Sequence, residues 1–223
     1  MTAPKHGEET SGTRDRILIE ASRLLSTNGY RGTTTREIAA AVGISQPSLF
    51  FHFSNKRAIV EELYRRDLVP AVAGLENLIV AEASAAAKLF ALIQGETTRI
   101  LDSPYDMRAH ISYEALNDPD LAPFRELVQQ FDDLTNLIIR SGQESGQFNA
   151  GDPWLAQQMV SGFLARANLF VVSDEVRRQS HPEEAAALIL RGLLSDPSTL
   201  DEVRSEAAPL LARYVTDTPT PAD

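Results

Sequence analysis

The 223-residue sequence predicts an all-α protein, in which a three-helix bundle containing a helix-turn-helix precedes a longer helical body. Two observations predict this fold class. Apolar residues recur at helical spacing along most of the chain, and no stretch has the alternating pattern of a half-buried strand. The breaks between the helical stretches carry capping residues, glycine or proline, which are typical of helix ends.

The N-terminal bundle begins with an amphipathic helix that ends at Asn28-Gly29. The apolar stripe of this helix consists of Ile17, Leu18, Ala21, Leu24 and Leu25. Thr34 can cap the second helix, and Glu37 completes a capping box, which satisfies two backbone donors at the helix start. Gly43 supplies the left-handed residue that ends this helix and begins the turn.

A third helix follows the turn directly. Ser45 can cap it, and Pro47 fits its first turn, where a missing N–H costs nothing. Leu49 and Phe53 are predicted to pack in the core of the bundle. Ser54-Asn55 can then cap the next helix.

The body begins with a connecting helix from Lys56 to about Ala81, in which Pro70 removes one backbone hydrogen bond and can cause a bend. Further helices are predicted at 85–101, 104–116, 153–173 and 182–196, the last opened by Pro182.

Two other helices of the body have less certain ends. One fades at Ser145-Gly146, and its start is left open between Pro119 and the residue after Pro123. The last helix is capped by Ser198 and is kinked or broken at Pro209.

The composition restricts the class of protein. There are no cysteines, so disulfides and thiolate sites are excluded. No apolar run reaches the length of a membrane span, and the N-terminus lacks the apolar core of a signal peptide. We expect a cytoplasmic protein that does not interact with membranes.

The charges are unevenly distributed along the chain. The net charge is −10, but residues 1–67 carry +2 and residues 68–223 carry −12. Residues 11–57 contain seven basic and three acidic side chains. A basic head on an acidic body is consistent with binding DNA through one end, while solubility alone can account for the acidic body.

Residues 13 to about 70 closely resemble the DNA-binding domain of the tetracycline-repressor (TetR) family. The matching spacing runs from Thr-Thr-Arg-Glu-Ile-Ala through Val-Gly to Ser-Gln-Pro-Ser-Leu-Phe-Phe-His-Phe and Lys. The resemblance implies a DNA-binding domain at 11–71, with the helix-turn-helix at 34–53, and a ligand-binding and dimerisation domain at 72–215. Residues 1–10 and 216–223 are predicted to be disordered tails.

Groove chemistry suggests how the third helix meets DNA, because residues at the N-terminal end of such a helix reach base edges. Gln46 can bond bidentately to adenine, Pro47 can face a thymine methyl, and Arg36 can reach guanine or phosphate. Thr35 and the Lys56 ammonium are expected to bind phosphates. The predicted DNA-binding residues are Thr35, Arg36, Ser45, Gln46, Pro47, Ser48, Phe50, Phe51, His52 and Lys56.

Two aromatic residues of this set need separate treatment. Phe50 departs from the family, which usually has a tyrosine whose hydroxyl bonds a phosphate, so Phe50 can only pack against sugars. Phe51 has two interpretations of equal weight, since aromatic residues at this spacing commonly belong to a core.

Two late helices, at 154–172 and 185–194, are apolar on several faces and must therefore be covered on several faces. Either they lie at the centre of one monomer, or they pack on their own subunit and on a partner. The resemblance implies a four-helix bundle across a two-fold axis, so we favour a homodimer. The predicted dimerisation residues are Leu155, Phe163, Ala167, Phe170, Ala186, Ile189, Leu190 and Leu193.

The resemblance also implies that the helical body holds a small-molecule effector. Its identity is unknown, and the available side chains predict an apolar or amphipathic molecule. The predicted ligand-binding residues are Phe90, Arg99, Met107, His110, Phe131, Asn136, Gln158 and Asn168.

No pattern in the sequence predicts an enzyme, a cofactor or a metal site. The four histidines are scattered, and the chain has no Gly-x-Ser-x-Gly elbow, phosphate loop or dinucleotide fingerprint. Asp132-Asp133 occupies adjacent helix positions and is interpreted as a solvated edge. A helical-bundle enzyme with a DNA-binding head is the remaining alternative of this class.

These observations together predict a ligand-responsive, sequence-specific DNA-binding transcriptional regulator. We favour a repressor that leaves a palindromic operator when a small-molecule effector binds. The alternatives are an activator, a ligand-independent DNA-binding factor, or a helical-bundle ligand-binding protein that does not bind DNA.

Overall fold

The computed structural model describes residues 12–106, 119–167 and 175–216. The regular secondary structure of these residues is entirely helical. The helices are α1 Thr13–Gly32, α2 Thr35–Val42, α3 Gln46–His52, α4 Lys56–Val80, α5 Ala85–Asp102, α6 Ala122–Glu144, α7 Pro153–Ala167, α8 Glu175–Leu193 and α9 Leu200–Thr216. Single 3-10 turns lie at Pro119–Leu121 and Pro197–Thr199. The predicted all-α fold class is confirmed.

The chain divides into two compact units. Of the described residues, 12–64 with 104–106 and 119–121 form the first unit, and 65–103, 122–167 and 175–216 form the second. This division differs from the predicted boundary after residue 71. Asp106 is tied to the first unit by two hydrogen bonds of 2.9 Å: the Ser26 hydroxyl donates to its carbonyl, and its N–H donates to Ser22 Oγ.

The helix ends of the first unit follow the predicted capping signals. Glu37 N–H donates to Thr34 Oγ1 at 3.2 Å, and Thr34 N–H donates to Glu37 Oε2 at 2.8 Å, which completes the capping box. Gly43 has a φ of 76°, and Ser45 Oγ accepts from the N–H of Ser48. The helix-turn-helix is therefore present where the sequence predicts it.

The core of the first unit collects residues from all four of its helices. Its largest fully buried side chains are Ile17, Leu18, Ile38, Leu49, Ile59 and Leu63. Phe53 is also buried, so both residues predicted for this core are confirmed. Gly29 breaks the helical geometry of α1 with a φ of 74°, at the predicted helix end, and helical turns continue to Gly32.

Helix α5 is the centre of the second unit. It packs against α6, α7, α8 and α9, and its residues Leu89, Phe90, Leu92 and Ile93 are buried on all sides. A helix covered by several neighbours must be apolar around most of its circumference. The core of this unit therefore surrounds α5.

Two predicted helix starts in the second unit are wrong. Helix α8 begins at Glu175, so Pro182 lies inside it instead of opening it. Pro182 is buried, and packing can offset the one backbone hydrogen bond that an internal proline removes. Asp196 caps the 3-10 turn ahead of α9 by accepting from the N–H of Ser198, so Ser198 is not the cap.

The other body helices agree with the sequence to different extents. Helix α6 begins at Ala122 after a 3-10 turn, between the two starts left open, and α9 continues through Pro209 to Thr216. Residues 104–106 are not helical. The rest of the helix predicted at 104–116, the end of the one predicted at 153–173, and most of both predicted tails lie outside the described residues.

Candidate nucleic-acid interface

Helix α3 is anchored by one face and exposes aromatic side chains on another. Leu49 and Phe53 are buried in the first unit, whereas Phe50 is 44% exposed and Phe51 is 87% exposed. Phe51 is therefore not a core residue, which decides between its two interpretations. An exposed aromatic pair on a short polar helix is typical of a surface that contacts a partner.

The polar residues at the start of α3 are connected to α2. Gln46 Nε2 donates a hydrogen bond of 3.0 Å to Oγ1 of Thr35, the first residue of α2. The hydroxyls of Ser45 and Ser48 are 2.9 Å apart. The contact between Gln46 and Thr35 joins the N-terminal ends of α2 and α3 on the surface of the first unit.

The remaining residues predicted for this surface are also accessible. Arg36, Pro47 and Ser48 are exposed, and His52 is half-buried. The rings of Phe51 and His52 meet edge to face with centroids 5.5 Å apart. The predicted set thus occupies the starts of α2 and α4 and most of α3.

Lys56 has a role that the sequence did not indicate. Its ammonium donates to the carbonyls of Tyr30, at 2.5 Å, and Thr33, at 2.8 Å, and it lies 4.2 Å from the centre of the Tyr30 ring. Two of the three N–H groups of the Lys56 ammonium therefore bind backbone carbonyls that follow Gly29, where the helical geometry of α1 is broken. Lys56 holds the start of α4 against this segment, whether or not it also binds phosphate.

Several charged groups brace the same unit. The Arg14 guanidinium pairs with Glu62 at 2.9 Å and lies 4.7 Å from the centre of the Phe53 ring. Hydrogen bonds from Thr34 hold the pKa of Glu37 below its usual value, so the capping carboxylate stays ionised at neutral pH. These contacts fix the helices that carry the exposed face of α3.

The predicted dimerisation residues separate into buried and accessible groups. Ala167, Ala186 and Leu190 are fully buried in the core of their own unit, so their prediction as partner contacts is wrong. Phe163, Ile189 and Leu193 are half-buried, Leu155 is exposed, and Phe170 lies outside the described residues. The sequence shows that these helices are apolar on several faces, but not which face meets the core.

The exposed apolar faces of α7 and α8 include Leu155 but otherwise consist of residues outside the predicted dimerisation set. They are formed by Trp154, Leu155 and Met159 on α7 and by Leu188 on α8, all more than half exposed. A Cβ added at Gly162 or Gly192 would meet no atom within 4 Å. We call these four side chains the exposed apolar stripes.

The described members of the predicted ligand-binding set lie in different environments. Phe90 and Phe131 belong to the core, Asn136 is half-buried, and Gln158 is exposed. Met107, His110 and Asn168 lie outside the described residues. Two cavities of about 740 and 340 Å³ in the second unit are lined by other residues, mainly from the end of α4, the start of α5 and α9.

Arg99, also predicted to orient a ligand, is held by carboxylates. It donates to both oxygens of Glu96, at 3.0 and 2.7 Å, and to Asp67 at 2.6 Å. Burial opposes its charge, but Glu96 and Asp67 outweigh this effect and raise the pKa of Arg99. Its interactions within the described structure are those of a structural ion pair.

Asp132 corrects another expectation. It is half-buried, and its Oδ1 accepts hydrogen bonds from Gln157 at 2.5 Å and Ser161 at 2.7 Å. Asp132 therefore joins α6 to α7, and only its exposed neighbour Asp133 fits the solvated edge that the sequence suggested.

The described residues contain neither a cluster of metal-binding side chains nor a helix that could span a membrane. Across 12–106, 119–167 and 175–216, no three or more His, Cys, Asp or Glu side chains form a group that could hold a metal ion. Within the same ranges, every helix is too short or too polar to cross a membrane.

Comparison with known proteins identifies the family. Residues 17–63 match the family model described as bacterial regulatory proteins, tetR family. The transcriptional repressor KstR2 of Rhodococcus jostii is 27% identical over 155 residues, which cover 67% of this chain and 76% of KstR2. The class C tetracycline repressor of Escherichia coli is 42% identical over 50 residues, which cover 22% and 23% of the two chains.

A solved structure has the same fold over nearly the whole chain. The crystal structure of Mycobacterium smegmatis AmtR superposes with a TM-score of 0.75 at 23% identity, covering 94% of this chain and 98% of AmtR. The sequence match covers the helix-turn-helix, and the structural match extends the fold to the body. The chain therefore belongs to the TetR family of DNA-binding transcriptional regulators.

Proposed function

We propose that this TetR-family protein is a repressor that binds a palindromic operator as a homodimer and leaves it when a small-molecule effector binds. The observation that carries the proposal is the accessible face of α3, which carries exposed Pro47 and Phe51 and half-buried Gln46, while Leu49 is buried in the core. A helix presented in this way fits the major groove, and its N-terminal residues can reach base edges. The similarity to the repressor KstR2 supports the sign of regulation.

The proposed dimer uses the exposed apolar stripes. Trp154, Leu155, Met159 and Leu188 are large apolar side chains exposed on two helices of the second unit, and we take these exposed apolar surfaces as the interaction site. A two-fold dimer carries two copies of α3, so its operator is an inverted repeat with half-sites about one or more helical turns apart.

The proposed effector is an apolar or amphipathic molecule bound in the second unit. Such a molecule releases the operator only if it binds the DNA-incompetent state more tightly, because equal affinity for both states shifts no population. Because a regulator must reach its operator, the proposal includes a cytoplasmic location.

Binding selection from random duplexes, followed by footprinting, tests the DNA-binding part of the proposal. The wild-type protein should enrich an inverted repeat. Gln46→Ala should lose about 1–3 kcal/mol on that repeat and much less on random DNA. Gln130→Ala, at an exposed glutamine on α6, is the matched control and should bind like the wild type. Equal losses of affinity for both duplexes in Gln46→Ala would show that Gln46 does not contact a base.

A thermal-shift screen tests the effector part. Apolar and amphipathic compounds that raise Tm are then titrated into the protein–operator complex, and at least one should lower operator affinity. A set of stabilising compounds that all leave DNA affinity unchanged would show that the protein is not regulated by ligands of this class.

A further inference from the structure

The hydrogen bond between Gln46 and Thr35 has a consequence for DNA sequence preference. Gln46 is the first residue of α3, and its Nε2 donates to Thr35 Oγ1 at 3.0 Å. Thr35 is the first residue of α2, next to the capping residue Thr34. One end of the Gln46 amide is thus held by a different helix, while its carbonyl oxygen and second N–H are left for a ligand.

The direction of this bond depends on what the Thr35 hydroxyl does. A hydroxyl has one hydrogen to donate and can also accept. Here it accepts from Gln46, so its own hydrogen is available for another acceptor. A phosphate oxygen of the DNA backbone is the natural acceptor at the N-terminal end of a helix.

Donation to phosphate fixes the orientation of the Gln46 amide. Once the Thr35 hydrogen binds a phosphate, Thr35 Oγ1 can only accept. A flipped amide would place the carbonyl oxygen of Gln46 against that acceptor, which is unfavourable. The carbonyl oxygen therefore stays available to the base.

We propose that Thr35 is a positioning residue that makes Gln46 select adenine over guanine at one position of each half-site. Adenine presents a donor, N6–H, and an acceptor, N7, in the major groove, which match the free carbonyl oxygen and N–H of Gln46. Guanine presents two acceptors, N7 and O6, and so opposes the carbonyl oxygen. The inference rests on the proposed binding of operator DNA by α3.

Binding selection with four proteins tests the inference: wild type, Gln46→Ala, Thr35→Val and Thr35→Ser. The position read by Gln46 is defined as the one whose preference disappears in Gln46→Ala. The wild type and Thr35→Ser should prefer adenine there. Thr35→Val has a similar shape without a hydroxyl, and its adenine-to-guanine ratio at that position should fall at least about fivefold.

A double variant separates positioning from loss of structure. Thr35→Val in the Gln46→Ala background should change no base preference at that position, because Thr35 acts there through Gln46. The capping box uses the side chains of Thr34 and Glu37 and not that of Thr35, so Tm should be preserved in all variants.

Three results would overturn the inference while leaving the proposed function intact. They are a wild-type preference for guanine at the Gln46 position, an equal loss at all positions in Thr35→Val, and a Thr35→Ser protein that behaves like Thr35→Val. Failure of the proposed function gives a different result, since the wild type would then enrich no sequence.

Discussion

The phenolic hydroxyl of Tyr214 donates a 2.7 Å hydrogen bond to Glu96 Oε1 and so joins α9, the last helix, to α5. The Tyr214 ring lies where Gly74 and Gly95 have no side chain; a Cβ there would lie 2.7 or 2.6 Å from the ring. Burial and the Glu96 carboxylate raise the pKa of Tyr214, so the hydroxyl stays protonated and keeps donating. This contact gives the last helix a structural role in the second unit.

Tyr214→Phe should lower the free energy of unfolding by about 1–2 kcal/mol, because the ring remains but Glu96 loses one buried donor. Urea denaturation measures the change. Tyr214→Ala, which also empties the space between the two glycines, should cost about 3–5 kcal/mol. Unchanged stability in Tyr214→Phe would show that the hydroxyl contributes nothing.

Arg99→Met should destabilise the protein by about 3–5 kcal/mol, because the buried Glu96 carboxylate would lose its ion pair and the half-buried Asp67 would lose its contact with Arg99. The control is Arg23→Met, which breaks the exposed pair with Glu20 and should cost less than about 1 kcal/mol. Chemical denaturation at neutral pH compares the two. A small loss for Arg99→Met would favour its other predicted role, orientation of a ligand.

Phe51→Ala and Phe53→Ala, two positions apart, should separate function from stability. Phe51 is exposed, so its loss should leave Tm nearly unchanged and weaken operator binding. Phe53 is buried, so its loss should cost about 3–5 kcal/mol of stability. Thermal unfolding and operator titration are both measured; unchanged operator affinity in Phe51→Ala would exclude this ring from the interface.

Leu188→Glu and Leu190→Glu should fail in different ways. Leu188 is 71% exposed on one of the apolar stripes, so a charge there should yield folded monomers that bind the operator poorly. Leu190 is completely buried in its own unit, so a charge there should unfold the second unit. Sedimentation and circular dichroism distinguish the outcomes, and an intact Leu188→Glu dimer would place the interface elsewhere.

Asp132→Asn should stabilise the protein at pH 7 relative to the wild type and lose this advantage in acid. Burial raises the pKa of Asp132 despite hydrogen bonds from Ser161 and Gln157. A carboxyl with a raised folded-state pKa is most favourable below its unfolded pKa, and this contribution is lost as the pH rises through the folded pKa. Asparagine keeps the Oδ1 acceptor but does not titrate.

The measurement for Asp132→Asn is Tm at pH 7 and near pH 4. Asp133→Asn, at the exposed next position, controls for removal of one negative charge from α6. A Tm difference between Asp132→Asn and the wild type that does not change with pH would contradict the prediction.

The local signals in the sequence determined the helix-turn-helix and much of the secondary structure. Thr34 with Glu37, Gly43 and Ser45 act within a few residues of sequence, so their hydrogen bonds can be inferred without knowing the fold. The same holds for the helix start at Lys56, where Asn55 accepts from the N–H of Ala58. The residue types on α3 likewise led to the proposal that its accessible face binds DNA.

Only the tertiary structure decided how each apolar or charged side chain is used. The rotation of α8 about its own axis turns Leu190 toward the core and Leu188 toward solvent, although both are leucines on a helix that is apolar on several sides. Arg99 and Lys56 find their partners 32 and 26 positions away, and packing lets Pro182 lie inside a helix. Capping depends on neighbours in sequence, whereas burial and ion pairing depend on neighbours in space, which the order of residues alone does not specify.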